Sequence, residues 1–463
     1  MRMTEIRRPD LVLVMTDQQR YDQIGYVGTT PVRTPYLDRL AAAGVIFDTT
    51  YSGSTTCVPA RISLLTGLLD HRARHLERYT LDPGFFTVPH ALAAAGYETA
   101  LIGKMHFTPM RSAHGFEHMR VVEHFGAYDV DPTTLPELDH YHDWLRAQGL
   151  PDWRLDGRED ECPYPLDPAT HPTSWVEREA TTFLRERDGA RPLFLVVSFP
   201  HPHPPINPPE SHAGLYDPEE CVIDAEWHTA NAYLPASFRR ATAQDGAPHR
   251  RIQPERMAAH RATLAHTYGL ITQIDEAVGR IVAHLDLDAT VLFFTSDHGD
   301  YAGHRGLVRK VPWIPFEDLA RVPFFVTGAG VAGGRREAGL AQSYDFATTC
   351  LDYAGVDVDL ATFDGISLVP VLTDPAVSLD ADRAVHCGIS MRWPMVRQGA
   401  HKYLRSGWGE EVLFDVERDP GEVYNLTSLD PDREIVGALA EASAQGVAAT
   451  IPDLPRFDVF ARP

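Results

Sequence analysis

Four short apolar runs punctuate the chain, Leu11–Met15, Thr99–Ile102, Leu193–Ser198 and Thr290–Ser296, and each gives way abruptly to polar residues. Runs of this length without alternation read as strands buried on both faces. Helix signals lie between them. Thr34-Pro35 opens a helix that Gly44 closes, with cap, first-turn proline and terminal glycine in place. A second runs through His90 to Ala95 and stops at Gly96. A third opens at Ser174-Trp175-Val176-Glu177, which has the form of a capping box. A long helical stretch from about Met257 to Leu285 precedes the fourth apolar run. Strand alternating with helix predicts an α/β architecture.

The polar residues at the end of each strand carry more chemistry than the strand itself. The first run ends in Thr16-Asp17-Gln18, the second in Gly103-Lys104-Met105-His106, the third in Phe199-Pro200-His201-Pro202-His203-Pro204-Pro205, and the fourth in Asp297-His298-Gly299-Asp300. Open α/β sheets bind ligands at the carboxyl ends of their strands, so four polar arrivals predict one site. Two excursions, about residues 120 to 172 and 207 to 255, are too long for simple connections and are candidates for pocket walls. After about residue 375 the texture changes. The segments 396–404 and 412–415 read as short strands with turns, and Asp419-Pro420-Gly421 marks a turn before a final helix. The expected organisation is a large domain over residues 1–375 and a small antiparallel α+β domain over 376–463.

Composition narrows the function. With 42 Lys and Arg against 64 Asp and Glu, the formal charge is -22, which disfavours nucleic acid or an anionic membrane as partner. An anionic substrate must then be captured by local cations, which suits a small molecule. The five cysteines, at 57, 162, 221, 350 and 387, are scattered without metal-ligand or disulfide spacing. The N-terminal apolar run is too short for a signal peptide and no later run approaches membrane-spanning length, so a cytoplasmic protein is expected.

One cysteine stands apart. In Ser54-Thr55-Thr56-Cys57-Val58-Pro59-Ala60-Arg61, Pro59 suits a first helical turn, which places Cys57 just before or at a helix N-terminus. That end favours anions and lowers a thiol's pKa. With Thr66 and Gly67, the stretch resembles the sulfatase signature C-x-P-S/C-R-x-x-x-x-T-G, with Ala60 where members usually carry Ser or Cys. Gly103-Lys104-Met105-His106 is similar to that family's G-K-W/M-H. Gly303 to Lys310 with Arg321-Val322-Pro323 resembles its G-x-x-G-L-x-x-K…R-V-P, and the turn at 419–426 resembles its closing pattern.

The resemblance implies an alkaline-phosphatase-like fold, with a mixed, mostly parallel sheet flanked by helices and a smaller C-terminal antiparallel-sheet domain. It implies hydrolysis of a small-molecule sulfate ester, aryl, alkyl or sugar. Cys57 would be converted to formylglycine by a formylglycine-generating enzyme, its partner in maturation. The metal set carried over is Asp17, Gln18, residue 57, Asp297 and His298. Gln18 stands where some sulfatases have a second Asp, and His298 where some have Asn. Fewer anionic oxygens leave both Ca2+ and Mn2+ open, and Gln18 either ligates directly or supports a ligand. Arg61 would hold the nucleophile, Lys104 and Lys310 would bind sulfate with Arg309 as the rival of Lys310, and His106 would assist the second half-reaction. Lys104 and His106, two apart on an extended segment, would share a face.

The acid for the departing alcohol is His203 if Pro202-His203-Pro204-Pro205 is the match to P-H-x-P, with His201 as competitor. His114, His118 and His124 read as surface or pocket-wall residues. The alternative within the same site is a phosphonate monoester or phosphodiester hydrolase. More distant alternatives are a two-zinc phosphatase using Thr55 or Thr56, and an inactive binding relative. The sequence leaves a homo-oligomer open.

Overall fold

The computed structural model describes residues 8–73, 81–107, 110–123, 139–150, 162–223, 231–244, 251–388, 393–429, 433–448 and 454. Nine strands form one sheet: β1 (Asp10–Asp17), β2 (Val45–Tyr51), β3 (Glu98–Gly103), β4 (His118–Val121), β5 (Leu193–Pro202), β6 (Thr290–Ser296), β7 (Arg321–Val322), β8 (Phe324–Gly328) and β9 (Arg335–Gln342). Their order is β4-β3-β5-β1-β6-β8-β2-β7, with β9 also paired to β2. The half from β4 to β6 is parallel; β8 runs antiparallel to both β6 and β2.

The apolar runs are continuous because both faces of the sheet are covered. Leu11, Leu13 and Met15 of β1 face one core with Ile62, Leu65 and Phe346, whereas Val12 and Val14 face another with Trp175, Ile274 and Val278. Successive side chains of a strand point to opposite faces, and here each face meets helices. The long helix is Met257–Val282. The helix expected to open at Ser174 instead spans Pro172–Glu186. Pro172 suits its first turn and the His171 Nδ1 accepts from the Thr173 N–H at 3.2 Å, so the cap lies ahead of the serine.

A second, antiparallel sheet comprises β10 (Ala384–Cys387), β11 (Met395–Gln398), β12 (His401–Arg405) and β13 (Glu411–Asp415), paired in that order. The run 396–404 is thus two strands, folded at Gly399, whose φ of 55° suits a residue without a Cβ. One face of this sheet, with Val385, Met395, Leu404 and Phe414, packs on Tyr51, Phe316 and Leu340 of the larger body. The Lys402 ammonium crosses the same seam, 2.9 Å from both Glu317 and Glu422.

Of the two excursions, residues 124–138, 151–161, 224–230 and 245–250 lie outside the described residues, and His124 with them. His114 is buried rather than on a surface, edge-on to the Phe107 ring at 5.2 Å. His118 is half-buried beside Phe183. Among the described residues no helix is long and apolar enough to cross a membrane.

Candidate active site

The carboxyl ends of β1, β3, β5 and β6 meet at one edge. Thr16 is level with Ser296, Gly103 with Ser198, and a register shift after Met15 brings Asp17 level with Pro202. Into this edge points the helix Cys57–Thr66, capped by Thr56 in extended conformation and closed by Gly67 at φ 71°. Cys57 therefore opens the first turn, and Pro59 sits where no N–H is required.

The Cys57 Sγ lies 3.2 Å from the His298 Nε2 and 3.8 Å from the Asp17 Oδ1, and the Lys310 Nζ donates to it at 2.8 Å. Burial and Asp17 push the thiol's pKa up, Lys310, Lys104 and His298 pull it down, and the net position is below the ordinary value. The His298 Nδ1 donates to the Gly299 carbonyl at 2.9 Å, which leaves the lone pair of Nε2 facing the centre.

Arg61, one turn after the cysteine, binds the floor of the site together. Its Nε donates to the Asp297 Oδ2 at 2.9 Å, one terminal nitrogen to the Lys104 carbonyl and the Ser198 hydroxyl at 2.8 Å each, and the other approaches the Asp17 Oδ2 at 3.3 Å. Lys104, fully buried, donates to the same Asp17 carboxylate. Burial alone would raise the Asp17 pKa, but Lys104, His203, Arg61 and Lys310 hold it well below the usual carboxylate range.

Lys104 and His106 do not share a face of an extended segment. β3 ends at Gly103, where φ is 112° and a Cβ would stand 1.8 Å from the Ser198 carbonyl oxygen. The chain then turns, with His106 at φ 66°. The turn is fixed by the buried Glu123, whose Oε1 accepts from the Met105 N–H at 3.1 Å and the His106 N–H at 2.7 Å. Burial, reinforced by the Lys104 cation, holds the His106 imidazole well below its ordinary pKa and therefore neutral.

The two candidate acids are separated by the fold. His203 faces the centre, close enough for Lys310, Asp17 and Lys104 to shift its pKa, although burial is the largest cause of its lowering. Its Nδ1 donates to the Pro204 carbonyl at 2.8 Å, which assigns the tautomer. The His201 ring stacks on His171 with centroids 4.8 Å apart.

Asp17, Cys57, Asp297 and His298 offer ligand atoms that all lie within 4.8 Å of one another. Gln18 stands beside them. Its backbone N–H donates to the Asp297 Oδ1 at 3.0 Å, its amide nitrogen donates to the Asp300 Oδ2 at 2.5 Å, and its Oε1 is buried without a hydrogen-bond partner among the described residues. Two carboxylates, an imidazole nitrogen and an orphaned amide oxygen fit a divalent cation with mixed oxygen and nitrogen preference.

The fold thus gathers Asp17, Gln18, Cys57, Arg61, Lys104, His106, His203, Asp297, His298 and Lys310, and leaves Arg309 exposed. Thr55 donates its hydroxyl to the Trp313 carbonyl at 2.8 Å. Three supporting residues carry no motif of their own, namely Ser198 on Arg61, Asp300 on Gln18 and Glu123 under His106. Only Asp300, three places after Asp297, stood close to a recognised signal.

The order and direction of the strands give an alkaline-phosphatase-like α/β fold, and solved structures agree. A phosphonate monoester hydrolase of Agrobacterium radiobacter superposes with a TM-score of 0.76 at 24% identity, covering 95% of this chain and 96% of the other. Within that class the chain belongs to the sulfatase family, whose model matches residues 9–356 and whose members are sulfuric ester hydrolases. It is 30% identical over 460 residues to an arylsulfatase of Clostridium perfringens (strain 13 / Type A), covering 93% of each chain. It is 28% identical over 489 residues to a choline-sulfatase of Rhizobium meliloti (strain 1021), covering 98% of this chain and 89% of that one.

Proposed function

We propose that the protein hydrolyses a small-molecule sulfate ester to an alcohol and inorganic sulfate, with residue 57 supplying the oxygen nucleophile after Cys57 is converted to formylglycine. The observation that carries this reading is the position of Cys57, at the first turn of a helix and between the Lys310 ammonium and the carboxylate–imidazole cluster. A thiol there is ill suited to a hard sulfuryl centre, whereas a hydroxyl on the same carbon would point between cations.

Asp17, Asp297, His298 and Gln18 would hold one divalent metal, Ca2+ or Mn2+, beside residue 57. Such an ion neutralises sulfuryl oxygens and acidifies a neighbouring hydroxyl. Lys104, on the Asp17 carboxylate, and Lys310, on the Cys57 sulfur, would neutralise the remaining sulfuryl charge as the S–O bond to the alcohol breaks. Arg61 bridges the Asp17 and Asp297 carboxylates. His203, with its Nδ1 proton committed to Pro204, would deliver a proton from Nε2 to the departing alcohol. Its low pKa in the unliganded site reflects burial first and then the lysines, and a bound sulfate between those lysines screens them and raises it. The neutral His106 is suited to take a proton from residue 57 as sulfate leaves.

The test is the ratio of kcat/KM on an aryl sulfate and an aryl phosphonate monoester with the same leaving group, measured on matured protein. The expected ratio favours the sulfate. A larger value on the phosphonate would move the assignment to phosphonate monoester hydrolysis at the same site.

A further inference from the structure

A cavity of about 480 Å³ opens against the catalytic edge, and most of its wall has no part in the chemistry above. It shares one side with the site, because Pro202 and Pro204 flank His203, Asp300 holds the Gln18 amide, and Arg309 directly precedes Lys310. A space of this size takes a ligand of one or two rings. Its position beside the imidazole suited to protonating the alcohol makes it the natural place for the leaving group.

The rest of the lining has two characters. Ile206, Ile223, Leu264 and Val308 contribute apolar surface, while Arg256 and Arg309 contribute cations. Among the described residues neither arginine forms an ion pair. The carboxylate among the described wall residues is occupied: the Asp300 Oδ1 accepts from the Ala302 and Arg309 N–H groups at 2.6 and 3.0 Å, and its Oδ2 from Gln18. Arg256 stands at the N-terminus of the helix Met257–Val282, whose positive end adds to its charge. The next residues of that helix to line the cavity, His260, Thr263, Leu264 and Thr267, have the spacing of a single face. Burial first and then Arg256 lower the His260 pKa, against the opposing charge of Glu255.

We infer that this cavity is a leaving-group subsite selecting sulfate esters whose alcohol carries a second anionic group, a carboxylate or a second sulfate, on an apolar frame. The inference rests on the sulfatase reading of the adjoining site. Both guanidinium groups are exposed to water and gain no partner from an uncharged alcohol, and a cationic one would be repelled. A second anion meets two guanidinium forks that form no ion pair among the described residues and that suit carboxylate or sulfate oxygens. On a chain of net charge -22, such a substrate needs this local pair of cations to approach at all.

The experiment compares the sulfate esters of 3-hydroxybenzoate, of its methyl ester and of 3-(trimethylammonio)phenol, with kcat/KM normalised to the leaving-group dependence of uncharged phenols. The carboxylate should be preferred to the methyl ester by about tenfold at low salt, with the preference shrinking as salt screens it. Arg256→Gln and Arg309→Gln should each reduce the ratio, and Arg256→Glu should turn it toward the trimethylammonium ester. Calorimetric titration of the matured protein with the three free alcohols reads the same selectivity without turnover. Turnover with no preference for the carboxylate, or with preference for the cation, overturns the subsite. Preferential binding of 3-hydroxybenzoate without hydrolysis of any sulfate supports the subsite and overturns the sulfatase reading. Neither hydrolysis nor selective binding overturns both.

Discussion

The Lys310 ammonium lies 2.8 Å from the Cys57 sulfur across 253 residues of sequence, with Cys57 only 4% exposed and Lys310 half-buried. The first turn of the helix, the loop after β6 and the end of β1 all close over this atom. The helix Cys57–Thr66 is buried throughout, so a maturation enzyme would have to unfold it to engage the peptide around Cys57.

The conversion of Cys57 to formylglycine is therefore expected to occur on the unfolded or nascent chain. Protein co-expressed with a formylglycine-generating enzyme should yield a Cys57 peptide about 18 Da lighter than the thiol form. Folded thiol protein incubated afterwards with the same enzyme should show no such loss, whereas a short peptide spanning 54–67 should be converted. Conversion of the folded protein at the peptide's rate would contradict the burial argument.

Arg61 joins both carboxylates, the Lys104 carbonyl and Ser198. Removing it leaves two buried carboxylates short of a partner, a loss on the order of 3–5 kcal/mol. Arg61→Ala is expected to lower the free energy of unfolding by that amount. Arg61→Lys keeps the charge but not the fork, and should recover part of the stability and little of the turnover. Equal midpoints for wild type and Arg61→Ala in denaturant titrations would exclude the bridging role.

The orphaned Gln18 Oε1 makes a second prediction about the centre. Metal analysis should find about one equivalent of Ca2+ or Mn2+ per chain, and a chelator should lower the melting temperature. Resupply of metal at about a hundred times its Kd should restore about 2.7 kcal/mol. Gln18→Ala should weaken metal binding, read directly by titration. An unchanged affinity in that variant would limit Gln18 to its contact with Asp300.

The parallel half of the fold and its site were legible for one physical reason. Strands buried on both faces are uninterrupted apolar runs, and their polar endings stand beside them in sequence, so Asp17, Lys104 and Asp297 announce themselves. The antiparallel half was not. β2 is interrupted by Asp48, and β9, with two arginines and a glutamate, has no apolar run to recognise. The turn that aims His106 was hidden because Glu123, which fixes it, is distant in sequence and carries no pattern. Nor could spacing choose between His201 and His203, since that depends on the level at which β5 leaves the sheet.

Stability should fall as the solution is acidified below pH 6.5. Burial lowers the pKa of His114 and His386 from 6.5 to about 4 in the folded chain. Between those values the unfolded chain binds protons that the native one refuses. The native advantage is thus complete above pH 6.5 and is lost progressively toward pH 4, at about 1.4 kcal/mol per pH unit for each histidine. His90 and His140, less deeply buried, act in the same direction. Asp275 and Glu123, pushed up to about 6 and about 7 by burial, oppose them in part. Denaturant titrations across this range should show the fall, and His114→Phe should flatten it by about one proton. An unaltered slope in that variant would remove His114 from the account.

The separation of His203 from His201 yields the most selective prediction. An imidazole that protonates the departing oxygen matters most when that oxygen is a poor leaving group, because a good one departs as an anion unaided. His203→Ala should thus reduce kcat/KM on alkyl sulfates by about 10²–10⁴ while costing much less on a nitrophenyl sulfate, and the dependence on leaving-group pKa should steepen. His201 stacks on His171. Its replacement by alanine should lower stability and leave the leaving-group dependence of the wild type intact. A steepened dependence in His201→Ala rather than His203→Ala would exchange the two assignments, and equal slopes in both would take the proton donor outside this pair.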